Sequence, residues 1–436
     1  MADQKSLFRT IWHSRRTWRR RFIFWSGALL VGLVSVLFAL AADWAQSCFL
    51  ALAHFWILPL LITPAGFVFC AWAANTFFPG SQGSGIPQAI AARHLGPGPA
   101  RHRLLSLKLC LGKIGLTVVA LLIGASVGRE GPTVQVGATI MLQVSRLRGL
   151  TNERGLILAG SAAGIAAAFN APLAGVVFAI EEMSRSFESR TNGLVIITVI
   201  ISGLVSLGLT GNYTYFGTTN VAVTSTSGWA LAALCGVAGG LAGGAFSRLT
   251  LLGINFAGQW IAADPQRRRL LFPLACGIVV ALTGVATGGA TWGTGYEQAR
   301  AAVEGHALAW YFWPAKLLAT LATAISGVPG GIFAPSLAVG AGLGAWLASL
   351  GGTAVSLGAV LGMAGYFAGV VQAPMTAFVI ILEMTGNSGN AIPLMLAAML
   401  GLGASRLVAH EPLYHALSKN FLTPAAGSAD RPPATE

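Results

Sequence analysis

Apolar residues run in blocks along this chain, at about 22–44, 48–77, 104–127, 133–147, 156–183, 193–210, 227–258, 270–288, 308–326, 332–350, 354–383 and 391–409. A helix that crosses a bilayer needs about 20 predominantly apolar residues. Several blocks are longer or shorter than that, and several are interrupted by Gly and Pro. Irregular backbone is tolerated at membrane depth only where it packs inside protein or lines a cavity, because an unpaired peptide group in hydrocarbon is costly. The pattern therefore predicts an all-α polytopic membrane protein of tilted, broken and half-length helices. Its 56 glycines point to close helix–helix approach.

The blocks also repeat. "GSAAGIAAAFNAPLAGVVFAIEEM" from Gly160 is echoed by "GMAGYFAGVVQAPMTAFVIILEM" from Gly362. A shift of 202 aligns Gly160 with Gly362, Ala171-Pro172 with Ala373-Pro374 and Glu181 with Glu383. The same shift sets Gly128 of "GREGP" on Gly330 of "GVPGGIFAP". Two halves, roughly 22–210 and 227–420, each carry a Gly/Pro-broken stretch at the matching place. That predicts a transporter built from internal repeats, with its substrate site at the interface between them, near mid-membrane.

Composition agrees and narrows the classes. Of 436 residues, 55% are hydrophobic and 9% charged, with a mean hydropathy of +0.70; a soluble domain carries about a quarter of its residues charged. The net charge of +13 begins with Arg15, Arg16, Arg19, Arg20 and Arg21, just before the first block. The positive-inside rule makes 1–21 a basic cytoplasmic N-terminal segment. No small-residue cleavage site follows it, so a secretory signal is not expected. The arginines flank spans in no RNA- or DNA-binding pattern, so no nucleic-acid partner is implied. The five cysteines lie singly in apolar segments and read as small buried hydrophobes; no metal site, disulfide framework or cofactor is expected. The end of the chain, 421–436, reads as a disordered tail with no room for a soluble regulatory domain.

Four of the 14 acidic residues, Glu130, Glu181, Glu182 and Glu383, belong to apolar blocks. Intramembrane ionisable groups are candidates for function. Glu383 precedes "MTGNSGN", and Glu181 and Glu182 precede "MSRSFESR", so helix-end or interfacial roles suit Glu181 and Glu383. Glu130 differs: apolar sequence flanks it on both sides, and Pro132 suits the first turn of a helix. A helix that starts at Gly131-Pro132 aims unpaired N–H groups and the positive end of its dipole forward, a ready place for an anion. "GGIFAP" (330–335) repeats the arrangement, with Gly330 and Gly331 allowing close approach before Pro335 opens a helix. "GSGIP" (83–87) is a third such start. Together they predict a dehydrated anion pocket made without a full positive charge. An enzyme would need a nucleophile and a base within reach of each other. None of the seven histidines lies in a catalytic pattern and Ser84 has no identifiable partner, so no enzymatic activity is expected. A cation-coupled solute carrier would share the broken helices, but the anion-directed glycine motifs favour an inorganic anion.

"GSGIP", "GREGP" and "GGIFAP", in this order and spacing, resemble the three anion-binding signatures of the CLC chloride channel/transporter family. The resemblance extends through "AAAFNAPLAG", "EEM" and "EPLY" (411–414) and covers essentially the whole membrane region, 22–420. It implies the CLC fold, with one half inverted relative to the other, in a homodimer with one pore per subunit. It further implies the prokaryotic type, without C-terminal regulatory domains, in a bacterial inner membrane with the N-terminus cytoplasmic. On this resemblance Ser84 and Tyr414 coordinate a central anion. The N–H groups of Ile332 and Phe333 complete that site, to which Gly85 and Ile86 also belong. Glu130 is then the gate, and Glu182, the second acid of "EEM", is the internal proton acceptor on the cytoplasmic side. Gly131, Arg129 and Lys113 support the site, with Arg129 read as scaffolding that satisfies nearby carbonyls. Lys113 matches a family lysine that raises the local positive potential. Gln88 stands where many relatives carry Glu, which leaves Lys113 less compensated; Lys316 is read as structurally paired. Ser at 84, rather than the Pro of nitrate-preferring or the Met of fluoride-exporting members, implies chloride.

The function implied is chloride/proton antiport, with chloride, protons and the lipid bilayer as partners. An ionised Glu130 mimics the anion and competes for its place; protonated, it loses its attraction to the helix ends and swings out. The alternative is a passive voltage- or pH-gated chloride channel of the same fold.

Overall fold

In the computed structural model, residues 15–147, 153–184, 189–211 and 214–422 are described, and every regular element among them is helical. Residues 1–14 of the basic segment and 423–436 of the expected tail lie outside this range. Helix α1 (Arg15–Leu52) outruns its block at both ends and takes in positions 15–21 of the basic segment. It is followed by α2 (Ile57–Thr76), α3 (Ile86–His94), α4 (Pro99–Leu104), α5 (Leu107–Leu122), α6 (Glu130–Leu147), α7 (Glu153–Phe169), α8 (Pro172–Phe178) and α9 (Ser189–Thr210). The second half comprises α10 (Thr226–Ala263), α11 (Arg268–Ala286), α12 (Tyr296–Val303), α13 (Phe312–Ile325), α14 (Phe333–Leu350), α15 (Val355–Val371), α16 (Pro374–Thr385), α17 (Ala391–Arg406) and α18 (Leu413–Leu422). Seven of the described helices are long and apolar enough to cross a membrane.

The two longest mid-half blocks each break into two helices, for a reason their sequences carry. α7 ends at Asn170 and α15 at Gln372, the two non-glycine residues with left-handed backbone among those described, at φ 53° and 54°. Ala171 and Ala373 follow at φ −134° and −129°, and Pro172 and Pro374 then open α8 and α16. A left-handed residue stops a helix, and a proline drives the residue before it out of the α region while suiting the first turn of the next helix. Each of these pairs is 202 residues apart, so the repeat extends to the backbone angles.

The halves are locked by an exchange of carboxylates. Glu181 accepts hydrogen bonds from Met375 N (3.1 Å) and Thr376 N (2.6 Å), while Glu383 accepts from Leu173 N (3.1 Å) and Ala174 N (2.8 Å). Residue i reaching j while i's repeat mate reaches j's repeat mate is the signature of a two-fold relation. The helix-end role expected for these acids holds, but each caps the first turn of the other half's helix, satisfying orphan N–H groups at a positive dipole end. Glu181→Ala and Glu383→Ala are each expected to cost about 1 kcal/mol of stability. Thermal unfolding of the purified variants in detergent checks this, and unchanged midpoints would refute it.

A second correspondence escapes the 202-residue register. Gly83 and Gly293 share φ near 64°, and Gly85 and Gly295 cap α3 and α12 from left-handed backbone at φ 102° and 75°. Lys113 on α5 donates to Ser81 O (2.5 Å) and Gly83 O (2.7 Å); Lys316 on α13 donates to Thr291 O (2.9 Å) and Gly293 O (2.7 Å). "GTGYE" (293–297) is thus the second half's counterpart of "GSGIP", offset by 210 residues. Glycine contacts close the core. A Cβ at Gly137 would fall on the Gly160 carbonyl, and one at Gly344 on that of Gly358, so α6–α7 and α14–α15 pack backbone to backbone.

Candidate functional site

The three glycine-opened helix starts meet at one place. Gly128 and Gly331 exchange both backbone hydrogen bonds, at 2.7 Å each, and Gly330 N donates to Gly83 O at 3.1 Å. The packing allows no side chain at the junction. A Cβ at Gly131 would strike Ser84 Oγ, and one at Gly331 would lie 2.9 Å from Gly131 N. The N-termini of α3, α6 and α14 therefore converge, with α6 starting at Glu130, one residue before the position expected from Gly131. Overpacking of this kind costs roughly 1–3 kcal/mol. Gly131→Ala is accordingly expected to weaken chloride binding at least about tenfold. Isothermal titration of chloride into purified protein measures it, and unchanged affinity would show that the close approach is not needed.

Around this junction stand the residues singled out above. Ser84 precedes Gly85, the left-handed cap that aims Ile86 into α3. Ile332 is the cap of α14 and Phe333 its first residue, while Tyr414 lies in the first turn of α18. The Phe333 ring is a hub: it stacks on Tyr414 at 6.0 Å and meets Phe367 edge-on at 4.6 Å. Ser84 Oγ and Tyr414 Oη are buried and adjacent, yet neither has a hydrogen-bond partner of normal geometry. Buried polar groups are almost always satisfied. Two convergent hydroxyls left over at a junction of helix N-termini are suited to hold an anion.

Glu130 is fully buried. Its carboxylate lies against Gly128, where a Cβ would collide with Oε2, and the N–H groups of Glu130 itself and Ala334 point at it. The carboxylate thus lies where the first turns of α6 and α14 meet. Tyr215, from the loop after α9, reaches it from the other side, its hydroxyl 3.4 Å from Oε1. Arg129 points away from the junction, donating to Ala39 O (2.8 Å) and to Asp43 Oδ1 (2.6 Å). Arg129 thus satisfies a carbonyl of α1 and forms an ion pair with the same helix.

Glu182 sits on a single π-helical turn, Ala179–Ser184, that continues α8. Such turns are frequent at functional sites. The turn is gripped from two sides: Arg93, at the end of α3, donates to Met183 O (2.9 Å) and Ser184 Oγ (3.0 Å), and His415 Nε2 donates to Glu182 O (2.9 Å). The helices that carry Ser84 and Tyr414 at their starts therefore also position Glu182.

Lys113 lies behind the turn that carries Ser84. Its ammonium is spent on the carbonyls of residues 81 and 83, and Gln88 Nε2 holds the same turn through Gly80 O (3.1 Å) and Gln82 O (2.7 Å). Gln88 and Lys113 are joint clamps on the turn that presents Ser84. Lys316 is paired, as read, but with carbonyls. The sequence reading missed Tyr215, Asp43, Arg93, His415 and "GTGYE". Of these only "GTGYE" left a trace in the sequence, two glycines one residue apart with a lysine following in an apolar helix.

Residues 65–406 match the family model described as voltage gated chloride channel. The H(+)/Cl(-) exchange transporter ClcA of Yersinia pestis bv. Antiqua (strain Angola) is 31% identical over 417 residues, covering 89% of this chain and 85% of the relative. The protein of that name from Salmonella gallinarum (strain 287/91 / NCTC 13346) is 30% identical over 439 residues, covering 92% and 90%. Two solved structures share the fold. A slow cyanobacterial Cl-/H+ antiporter superposes with a TM-score of 0.77 at 24% identity, over 93% of this chain and 98% of that one. A CLC-type fluoride/proton antiporter gives 0.77 at 23%, over 91% and 96%.

Proposed function

The chain belongs to the voltage gated chloride channel family, and from that membership we propose that it is a chloride/proton antiporter of the membrane it spans, gated by Glu130. One observation carries the reading: a buried carboxylate occupies the meeting point of two helix N-termini, next to two unpartnered hydroxyls. Ionised, Glu130 is a tethered anion in the place a chloride would take. Protonated, it no longer gains from the helix ends and the local dipoles, and it yields the place to chloride. One carboxylate thus binds the proton and excludes the anion, which couples the two fluxes.

Chloride passes by way of Ser84 Oγ, Tyr414 Oη and the backbone N–H groups of Ile332 and Phe333, with Gly85 and Ile86 shaping the start of α3. Gly131 keeps the three segments in contact, while Lys113 and Arg129 hold the turns on which Ser84 and Glu130 ride. Glu182 relays the proton from the cytoplasmic side. A hydroxyl donor at position 84 suits chloride. The assembly is a homodimer in a bacterial inner membrane with a cytoplasmic N-terminus, and its action is transport rather than catalysis.

Reconstituted vesicles held at zero membrane potential test this. An outwardly directed proton gradient, acid inside, should drive accumulation of labelled chloride above its external concentration. Equilibration without accumulation would mark a passive channel and overturn the exchanger.

A further inference from the structure

Tyr215 lies in the loop that joins the two halves, outside every motif of the anion path, yet it touches the carboxylate at the centre of that path. Its hydroxyl faces Glu130 Oε1 at 3.4 Å and the residue is buried. Its ring is held on several sides: Phe169 at 5.7 Å, Phe216 at 5.0 Å and Tyr296 at 5.1 Å, all edge-on, with the Arg129 guanidinium 5.9 Å from the ring centroid. The next residue, Phe216, ties the loop to α16 by donating its N–H to Met384 O at 3.1 Å. This phenol is therefore preorganised rather than a mobile loop side chain.

Beyond it is a polar cavity of about 370 Å³, lined by Tyr215 with Asp43, Gln46, Arg129, Thr294 and Tyr296 among others. Tyr215 and Arg129 are the two groups that both line this cavity and adjoin Glu130. Arg129 is committed to Asp43 and Ala39. The route by which the carboxylate can leave the helix ends toward water thus passes the Tyr215 hydroxyl.

We propose that Tyr215 is the latch of the gate: a positioning residue whose hydroxyl holds the ionised Glu130 carboxylate from the cavity side and whose ring closes the cavity against the anion path. The proposal rests on the reading of Glu130 as the gate. The latch opposes departure of the carboxylate, so it slows turnover without setting which ions are exchanged. At 3.4 Å the contact is long for a hydroxyl–carboxylate hydrogen bond, so the hold is modest and the ring supplies the closure.

The test is a double-mutant cycle in vesicles, read as unitary chloride turnover together with the chloride-to-proton ratio. Tyr215→Phe keeps the ring and its packing and should raise turnover about fivefold, the scale of one modest hydrogen bond to a charge, with the ratio unchanged. In the Glu130→Ala background the same substitution should be silent, since the carboxylate it latches is gone. Tyr215→Ala removes the closure and should raise the chloride-to-proton ratio as chloride slips past. Equal effects of Tyr215→Phe in both backgrounds would reduce Tyr215 to a packing residue, and no effect in the wild-type background would remove the latch. If Glu130→Ala alone retains proton coupling, the gate reading itself fails, an outcome visible before Tyr215 is touched.

Discussion

Glu130→Ala is expected to leave chloride flux of the wild-type order while abolishing proton movement. The side chain opens α6, is buried, and lies where the first turns of α6 and α14 present N–H groups. Truncation removes the tethered anion and the titratable group together. Chloride then meets no competitor for the helix ends, and no proton is carried in exchange. The effect on coupling is total because, in this reading, no second carboxylate on the anion path can do both jobs: Glu181 and Glu383 are engaged in capping α16 and α8. Efflux of chloride from vesicles, with internal pH followed by a trapped dye, reads both quantities at once. Persistent stoichiometric proton uptake in the variant would place the coupling elsewhere.

Glu182→Gln is expected to give the second largest change: chloride transport continues and proton coupling is lost. Gln matches Glu in size and cannot carry a proton, so the π-turn and its grips from Arg93 and His415, which go to backbone and to Ser184, survive. A fall in coupling therefore reports the lost proton site and not lost structure. Glu181→Gln, one residue earlier, is the control. Its carboxylate serves as a helix cap, so coupling should persist while stability declines. The pair separates two adjacent acids that the sequence alone gives no geometric way to distinguish. Retained coupling in Glu182→Gln would refute the relay.

What the sequence disclosed, and what it did not, follows from the range of the interactions. The glycine-opened helix starts were legible because backbone demands are local: Gly85 needs left-handed φ, Gly131 and Gly331 need the absence of a Cβ, and Pro172 and Pro374 end what precedes them. The 202-residue register carried over to the folded backbone at Asn170 and Gln372. The partners of the ionisable groups were not legible. Arg129 finds Asp43 across 86 residues, Tyr215 finds Glu130 across 85, and Glu181 and Glu383 reach into each other's half across about two hundred. Nothing local specifies such pairs; they follow from packing two related halves face to face. Lys113 shows the same limit from another side. Its burial was evident from its apolar setting, but its use of carbonyl partners depends on a turn some thirty residues earlier.

The central claim is that one carboxylate makes the movement of each ion conditional on the other. Proton movement driven by chloride alone tests it most directly. Vesicles containing the wild-type protein are loaded with high chloride, placed in low chloride at equal pH on both sides, and held at zero potential. Exit of chloride should drive protons inward, acidifying the lumen against the gradient so created until the two ionic driving forces balance. A lumen that stays at the external pH while chloride runs out would contradict the account.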